Sequence, residues 1–302
     1  MDILLIGSGV IGSVYGAQLA LAGQHVWVYA HSDRDREVAR NGIKILDAIS
    51  KAMETATVTL AENSSKRVYD IVLVAVRSDQ LKSTFSTLAK LTGSPHIIFL
   101  GNNPDGYKTI PKDLPGTIEL GFPGIGGSMH EKFVEYVHIP QQPTTLETDS
   151  LEVSLRFASI LKSRGFPVKR TNNIDGWLAY HSVFVGSIAG ALLRSGVDAS
   201  RLGNNHELLR LMCQSIEEGF TVLKVKGTQG LPRNLAILHQ PLLRPFAIHY
   251  WGKAMRSPMG ELYFAAHTRH ATVEMKVLAQ WVLWQAANSK TPHEHLERLL
   301  AQ

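Results

Sequence analysis

The chain begins with a short apolar run, DILLIG, that passes directly into the glycine-spaced turn GSGVIG and then into a helical run ending near Ala22. Strand, turn and helix in that order leave few folds open, because each glycine has its own steric task. Gly7 permits a tight turn at the strand end, Gly9 lets the backbone approach a pyrophosphate, and Gly12 lets the helix pack closely on the sheet. The helix start then offers free N–H groups and a partial positive charge to the phosphates. A lone GxGxxG is a weak sign. Set between an apolar strand and a second one, HVWVYA, it is a strong sign of a dinucleotide site. Gly7, Ser8, Gly9, Val10, Ile11 and Gly12 are the expected cofactor-binding residues of the turn.

The alternation continues along the first half. DREVARNG reads as a helical turn closed by glycine, IKILD, YDIVLVAV and HIIFLGNN as strands, and LKSTFSTLAKL as a helix. YDIVLVAV is apolar throughout, as parallel strands buried on both faces are. Less regular strand material follows in TIELGFPGIGG, VEYVHIP and FPVKR. From about Asn172 the texture changes to long amphipathic runs, IDGWLAYHSVFVGSIAGALLRSG, NNHELLRLMCQSIEEGFTVLKVKG and ATVEMKVLAQWVLWQAANSK, separated by glycine-type breaks. The expected architecture is α/β: a Rossmann-type doubly wound parallel sheet over residues 1–168, then an all-α second domain over 169–302 that binds substrate and dimerises.

Composition bounds the function. Cys213 is the only cysteine, so no intramolecular disulfide forms, which suits a reducing cytoplasm; in LLRLMC it reads as a small apolar residue. Met1 leads straight into a strand, with no signal peptide. The longest apolar run, Trp177–Leu193, contains His181, two serines and two glycines, and falls short of a span of roughly 20 residues, so it reads as a buried core helix and no membrane is expected. The net charge is +5, and it is unevenly spread: through Gly165 there are 16 Lys+Arg against 17 Asp+Glu, and beyond it 15 against 9. An excess confined to the second half suits a small anionic substrate or a solvated basic face. No dense basic block is interleaved with aromatics, so nucleic acid is not an expected partner.

The nucleotide is read at the end of the second strand. An NAD site places Asp or Glu there for the ribose hydroxyls. Here VWVYAHSDRDR puts Ala30, His31 and Ser32 at that place; Asp33 comes late, and Arg34 and Arg36 follow. A missing acid with a guanidinium nearby favours the 2′-phosphate of NADP, with His31, Ser32 and Arg34 as its contacts.

These motifs, with ARNGI, IVLVAVRSDQ, FLGNNPDG, TNNIDGWLAYH and SIEEGFTVLKVKG, resemble the ketopantoate reductase family. The resemblance implies reduction of 2-dehydropantoate to pantoate with NADPH. It places Arg77 where the family has a basic residue near the cofactor, and Asn102 where an asparagine ends the fourth strand, at the carboxyl edge where open α/β folds bind ligands. The residues themselves also allow a surface salt bridge for Arg77 and a turn-forming role for Asn102. The family's catalytic lysine falls on His181, and its two substrate-contacting asparagines fall on Val185 and Ala189. Its later Ser-Met…Glu segment resembles SPMGELYFAAHTRH, which makes Ser257, His270 and Glu274 candidate substrate contacts, His270 standing at the glutamate's place unless a gap moves it to Glu274. With the lysine and both asparagines replaced, the expected substrate is a carbonyl or imine other than ketopantoate.

His181 is the expected catalytic substitute, with Asn102. Hydride arrival at a carbonyl carbon builds negative charge on oxygen, and a positioned imidazole can stabilise it or pass a proton. Tyr180 points about 100° away around the helix and is not its partner. His267 and His270 have the spacing of a metal pair, but no third ligand is evident and no metal is expected. GFPGIGG lacks the lysine and serine of a phosphate loop, so its glycines read as backbone turns. Trp281 and Trp284 share a helix face suited to core packing or a subunit interface, which leaves room for a homodimer. The readings to separate are an NADPH-dependent reductase, a non-enzymatic NADP sensor, and ketopantoate reduction itself through a shifted alignment using Lys169 or Glu274.

Overall fold

The computed structural model describes residues 1–301, Met259 by its backbone alone. The chain forms two compact units, one of Met1–Gly101 with Ile110–Asn172 and the other of Asn102–Thr109 with the residues from Asn173 on. The sequence suggests a single cut near residue 168; in the structure, residues 168–171 form a strand of the first unit, and 102–109 belong to the second.

The first unit contains β1 (Asp2–Ile6), α1 (Val10–Leu21), β2 (His25–Tyr29), α2 (Asp33–Asn41), β3 (Ile43–Asp47), β4 (Met53–Ala56), β5 (Thr59–Ala61), β6 (Ile71–Val74), α3 (Leu81–Leu88) and β7 (His96–Leu100). It continues with β8 (Thr117–Phe122), β9 (Ile125–Met129), β10 (Val134–His138), β11 (Thr144–Glu147), α4 (Glu152–Ser163) and β12 (Val168–Thr171). Eight strands form one sheet in the order β12-β11-β8-β7-β6-β1-β2-β5. From β5 to β8 every pairing is parallel, and β11 joins β8 antiparallel. The expected doubly wound Rossmann-type sheet is therefore present. β6 and β7 are buried at every position, which is why they read as unbroken apolar runs.

IKILD is a strand but not of this sheet. β3 pairs with β4 and β10 in a second, four-stranded sheet of order β4-β3-β10-β9. Its pattern shows why: Ile43 and Ile45 are buried and Lys44 is exposed, the alternation of a sheet covered on one face. α1 is packed against elements of both sheets, so both of its sides are covered, and Gly12 through Leu19 are all buried.

The second unit is helical, as expected: α5 (Ile174–Arg194), α6 (Ala199–Asn204), α7 (His206–Val225), α8 (Arg233–Leu238), α9 (Arg244–Arg256), α10 (Pro258–Gly260), α11 (Ala266–His270), α12 (Thr272–Ala287) and α13 (Glu294–Leu300). A π-helical turn, Glu261–Ala265, joins α10 to α11. α5 is the one helix among the described residues long and apolar enough to cross a membrane, and 83% of its most apolar window is buried inside the protein. Val183, Ile188 and Leu192 of α5 share one core with Met212 and Ile216 of α7, Trp251 of α9 and Leu299 of α13. Cys213 sits in that core, where burial pushes its thiol up to about 12.

Candidate active site

The glycine turn shows three different steric demands. Gly7 has φ of 98°, where glycine alone is unstrained, and a Cβ there would lie 2.6 Å from the Ala75 carbonyl oxygen. A Cβ on Gly12 would lie 1.8 Å from the Gly7 carbonyl oxygen, so α1 can ride against the turn only without a side chain. Gly9 caps α1, and a Cβ on it would meet nothing within 4 Å. The fold requires two of the glycines, and the third keeps backbone approachable from outside. No acidic residue stands in the first turn of α1, so its positive end is uncompensated. Val10 and Ile11 pack their side chains against the unit's apolar core, leaving their backbone at the turn.

The end of β2 is tied to this turn by a residue the motif reading passes over. Asp35 is 4% exposed. Its Oδ1 accepts from Ser8 Oγ at 2.5 Å, and its Oδ2 accepts from His31 N at 3.1 Å and from Ser32 N and Ser32 Oγ, both at 2.7 Å. The Ser32-x-x-Asp35 spacing is a capping box for α2, a pattern visible in the sequence. Each oxygen of that carboxylate is already engaged by protein donors. Arg34 Nε donates to the Ser8 carbonyl at 3.0 Å, which holds the guanidinium beside the glycine turn with no ion pair among the described residues. Arg36 pairs instead with Glu62 at 3.3 Å. His31 and Ser32 are exposed, and His31 stacks on Tyr29. Arg77 donates from Nε and Nη2 to Asp79 at 3.1 and 3.3 Å, so its charge is already paired.

The second unit gathers a polar cluster. Of the two asparagines after β7, Asn103 makes the turn: its Nδ2 donates to the Gly106 carbonyl at 2.9 Å, and its Oδ1 accepts from Thr109 Oγ1 at 3.0 Å. Asn102 is free for another task. It is 8% exposed, and its Nδ2 donates to Glu274 Oε1 at 3.2 Å, while no described residue bonds its Oδ1. Glu274, 2% exposed, has His267 Nε2 at 3.6 Å from its Oε2. His181 is 3% exposed on α5, its ring stacked on Trp177 at 4.8 Å. Burial, and then the neighbouring charge of His267, push its pKa down to about 3, so at neutral pH it is an uncharged imidazole with one N–H donor and one acceptor nitrogen. Tyr180 turns away and donates to the Thr228 carbonyl at 2.9 Å.

The other expected contacts have surroundings of their own. His270 is exposed at the end of α11, whereas Glu274 is buried. In an unbroken helix two residues four apart share a face. Here the helix is interrupted at Ala271 (φ −121°), which resets the phase and turns Glu274 inward. Ser257 caps α9, its Oγ donating to the Ala254 carbonyl at 2.7 Å. Val185 packs with Ala189, Ala271, Met275 and Leu278, an apolar group formed by α5 and α12. Lys169 is exposed on β12, in the first unit. Trp281 Nε1 donates to Asp105 at 2.8 Å, and Trp284 is 60% exposed under Lys226.

One charged group was not foreseen from the sequence. At the starts of β7 and β8, the strand ends away from the glycine turn, His96 Nε2 lies 2.6 Å from Glu119 Oε2, and Arg170 Nη1 lies 3.3 Å from Glu119 Oε1. Asp149 brings a third potential metal ligand within 4.8 Å. Arg170 already supplies the positive charge beside Glu119, which makes this an internal ion network.

Residues 3–146 match the family model described as ketopantoate reductase PanE/ApbA. No curated protein matches the chain by sequence. Among solved structures, a PanE/ApbA family ketopantoate reductase from Ralstonia eutropha JMP134 superposes with a TM-score of 0.78 at 20% identity, covering 100% of this chain and 96% of that one. The 2-dehydropantoate 2-reductase from Methylococcus capsulatus gives 0.71 at 19% identity, covering 100% and 95%. D-mandelate dehydrogenase, solved with NADH and anilino(oxo)acetate, gives 0.76 at 16% identity, covering 99% and 96%. Identities this low speak for a shared fold: the chain has the fold of the PanE/ApbA ketopantoate reductases, and its residues 3–146 match that family's model.

Proposed function

We propose that this protein is an NADPH-dependent reductase that delivers hydride to the carbonyl or imine carbon of a small anionic substrate other than ketopantoate. The observation that carries the reading is the joint burial of Asn102, His181 and Glu274 at 8%, 3% and 2% exposure. Amide, imidazole and carboxyl groups buried in one unit are the kind of side chains that reduction of a carbonyl uses, and a module that merely senses a nucleotide has no use for them.

The glycine turn fits a dinucleotide: Gly9 leaves its backbone approachable, the start of α1 is uncompensated, and Arg34 stands beside the turn for a 2′-phosphate. The engagement of Asp35 by four donors leaves it poorly placed to accept from ribose hydroxyls, which supports NADP over NAD. When bound, NADPH supplies the hydride. As charge builds on the substrate oxygen, neutral His181 stabilises it by donating a ring N–H. Asn102 holds Glu274 in place through its Nδ2. A second reading deserves the same assay, because D-mandelate dehydrogenase was solved with NADH.

The test follows nucleotide absorbance with NADPH or NADH while 2-oxo acids, β-keto compounds and cyclic imines are offered. The expected result is tighter binding of NADPH and turnover of a compound other than ketopantoate. Equal dissociation constants would refute the nucleotide choice; tight binding with no turnover would favour a sensor, and turnover of ketopantoate the family activity. His181→Ala should slow turnover by about tenfold or more with nucleotide affinity unchanged. Unchanged turnover would remove His181 from the mechanism.

A further inference from the structure

Resting on the reductase reading, we infer that His267 is the port through which the reaction's proton enters, passing it to the buried Glu274 and from there to the oxygen of the reduced substrate. Reduction consumes one hydride and one proton. The hydride forms the new C–H bond, the C=O π pair moves onto oxygen, and that oxygen needs a proton from a group able to recover one from water. Two of the clustered groups cannot recover it alone. His181 is buried and stays neutral, so it donates a hydrogen bond but carries no spare proton. The Glu274 side chain is 3% exposed and has no path of its own to solvent.

His267 has both qualities. Its side chain is 42% exposed, and its Nε2 lies 3.6 Å from Glu274 Oε2. The opposite carboxylate oxygen, Oε1, is fixed by Asn102 Nδ2 at 3.2 Å, so the carboxyl group is held with one oxygen toward the imidazole. The cycle balances: the O–H bond of Glu274 breaks as the substrate O–H forms, the resulting carboxylate takes the Nε2 proton of the His267 imidazolium, and water reprotonates the imidazole. The charged and titratable groups on the elements packed against α11 have the following places. α5 presents His181 and α12 presents Glu274, whereas Glu261 of the π turn is bound by Arg269 at 2.8 Å, and Tyr263 of that turn stays protonated because burial raises its pKa.

His267 acts through Glu274, so the test reads proton traffic. With the best substrate of the panel and saturating NADPH, wild-type kcat should fall on an alkaline limb as pH rises and should show a normal solvent isotope effect. In His267→Gln that alkaline limb should vanish, kcat should drop about a hundredfold with KM unchanged, and added imidazole should restore much of the rate to His267→Ala. A His267→Gln enzyme that keeps the wild-type limb and rate overturns the relay while leaving the reductase standing. Should neither variant fold, the wild-type profile decides, and a flat profile without an isotope effect overturns the relay. A wild type inactive on every substrate overturns the relay and the reductase reading together.

Discussion

Gly9 and Gly12 are three residues apart and should fail in opposite ways. A methyl group on Gly12 would collide with the Gly7 carbonyl oxygen at 1.8 Å, so Gly12→Ala should lose the fold of the first unit, seen as low soluble yield and an early thermal transition. On Gly9 the same methyl group meets nothing within 4 Å, so Gly9→Ala should melt as the wild type does yet bind NADPH about tenfold or more weakly, a loss of about 1.4 kcal/mol. Equal melting temperatures for both, or unweakened binding by Gly9→Ala, would contradict these assignments. The division of labour among these glycines is legible in GSGVIG because it is local sterics. Asp35 was legible only as the capping box Ser32-x-x-Asp35; that its carboxylate also reaches Ser8, 27 positions away, depends on how the sheet brings the two loops together.

At the scale of elements, an ion network joins β7, β8 and β12. Glu119 is 1% exposed and neutralises Arg170 while bonding His96. Removing it leaves a half-buried cation without its carboxylate and the buried His96 without its partner, so Glu119→Ala should cost about 1–3 kcal/mol in a urea titration. Replacing His96, Glu119 and Arg170 together by leucine or methionine should recover most of that loss. A Glu119→Ala protein as stable as the wild type would show that the network is dispensable. No periodicity announces such a group, because its members lie on three strands. The strand character of IKILD is evident from alternation, but its membership of the second sheet is not: β3 pairs with β10, almost ninety positions on, and only the long-range register decides that. The helix break at Ala271 is likewise invisible as a pattern, yet it separates His270 from Glu274.

For the molecule as a whole, buried imidazoles set a pH limit on stability. Burial pushes His181 down to about 3 and His239 to about 4, and it lowers His138 as well. Above about pH 6.5 these groups are neutral in folded and unfolded chain alike. Below it the unfolded chain takes up protons that the folded chain refuses, so stability falls as pH drops from about 6.5 toward 4 and then 3. Between pH 6.5 and 5.5 each of His181 and His239 should cost about 1 kcal/mol, read from the urea midpoint, and His239→Phe should flatten part of that dependence. A midpoint that does not move over this interval would contradict the burial of these rings. What the order of residues decided alone was whatever rests on neighbours: the glycine turn, the helices with their ends, and the apolar runs of buried strands, because sterics and periodicity act within a few positions. The meeting of Asn102, His181, His267 and Glu274, spread over more than 170 positions, was decided by the packing of the helical unit. Burial, proton affinity and proximity are properties of a folded neighbourhood, and they come into being only when the chain closes on itself.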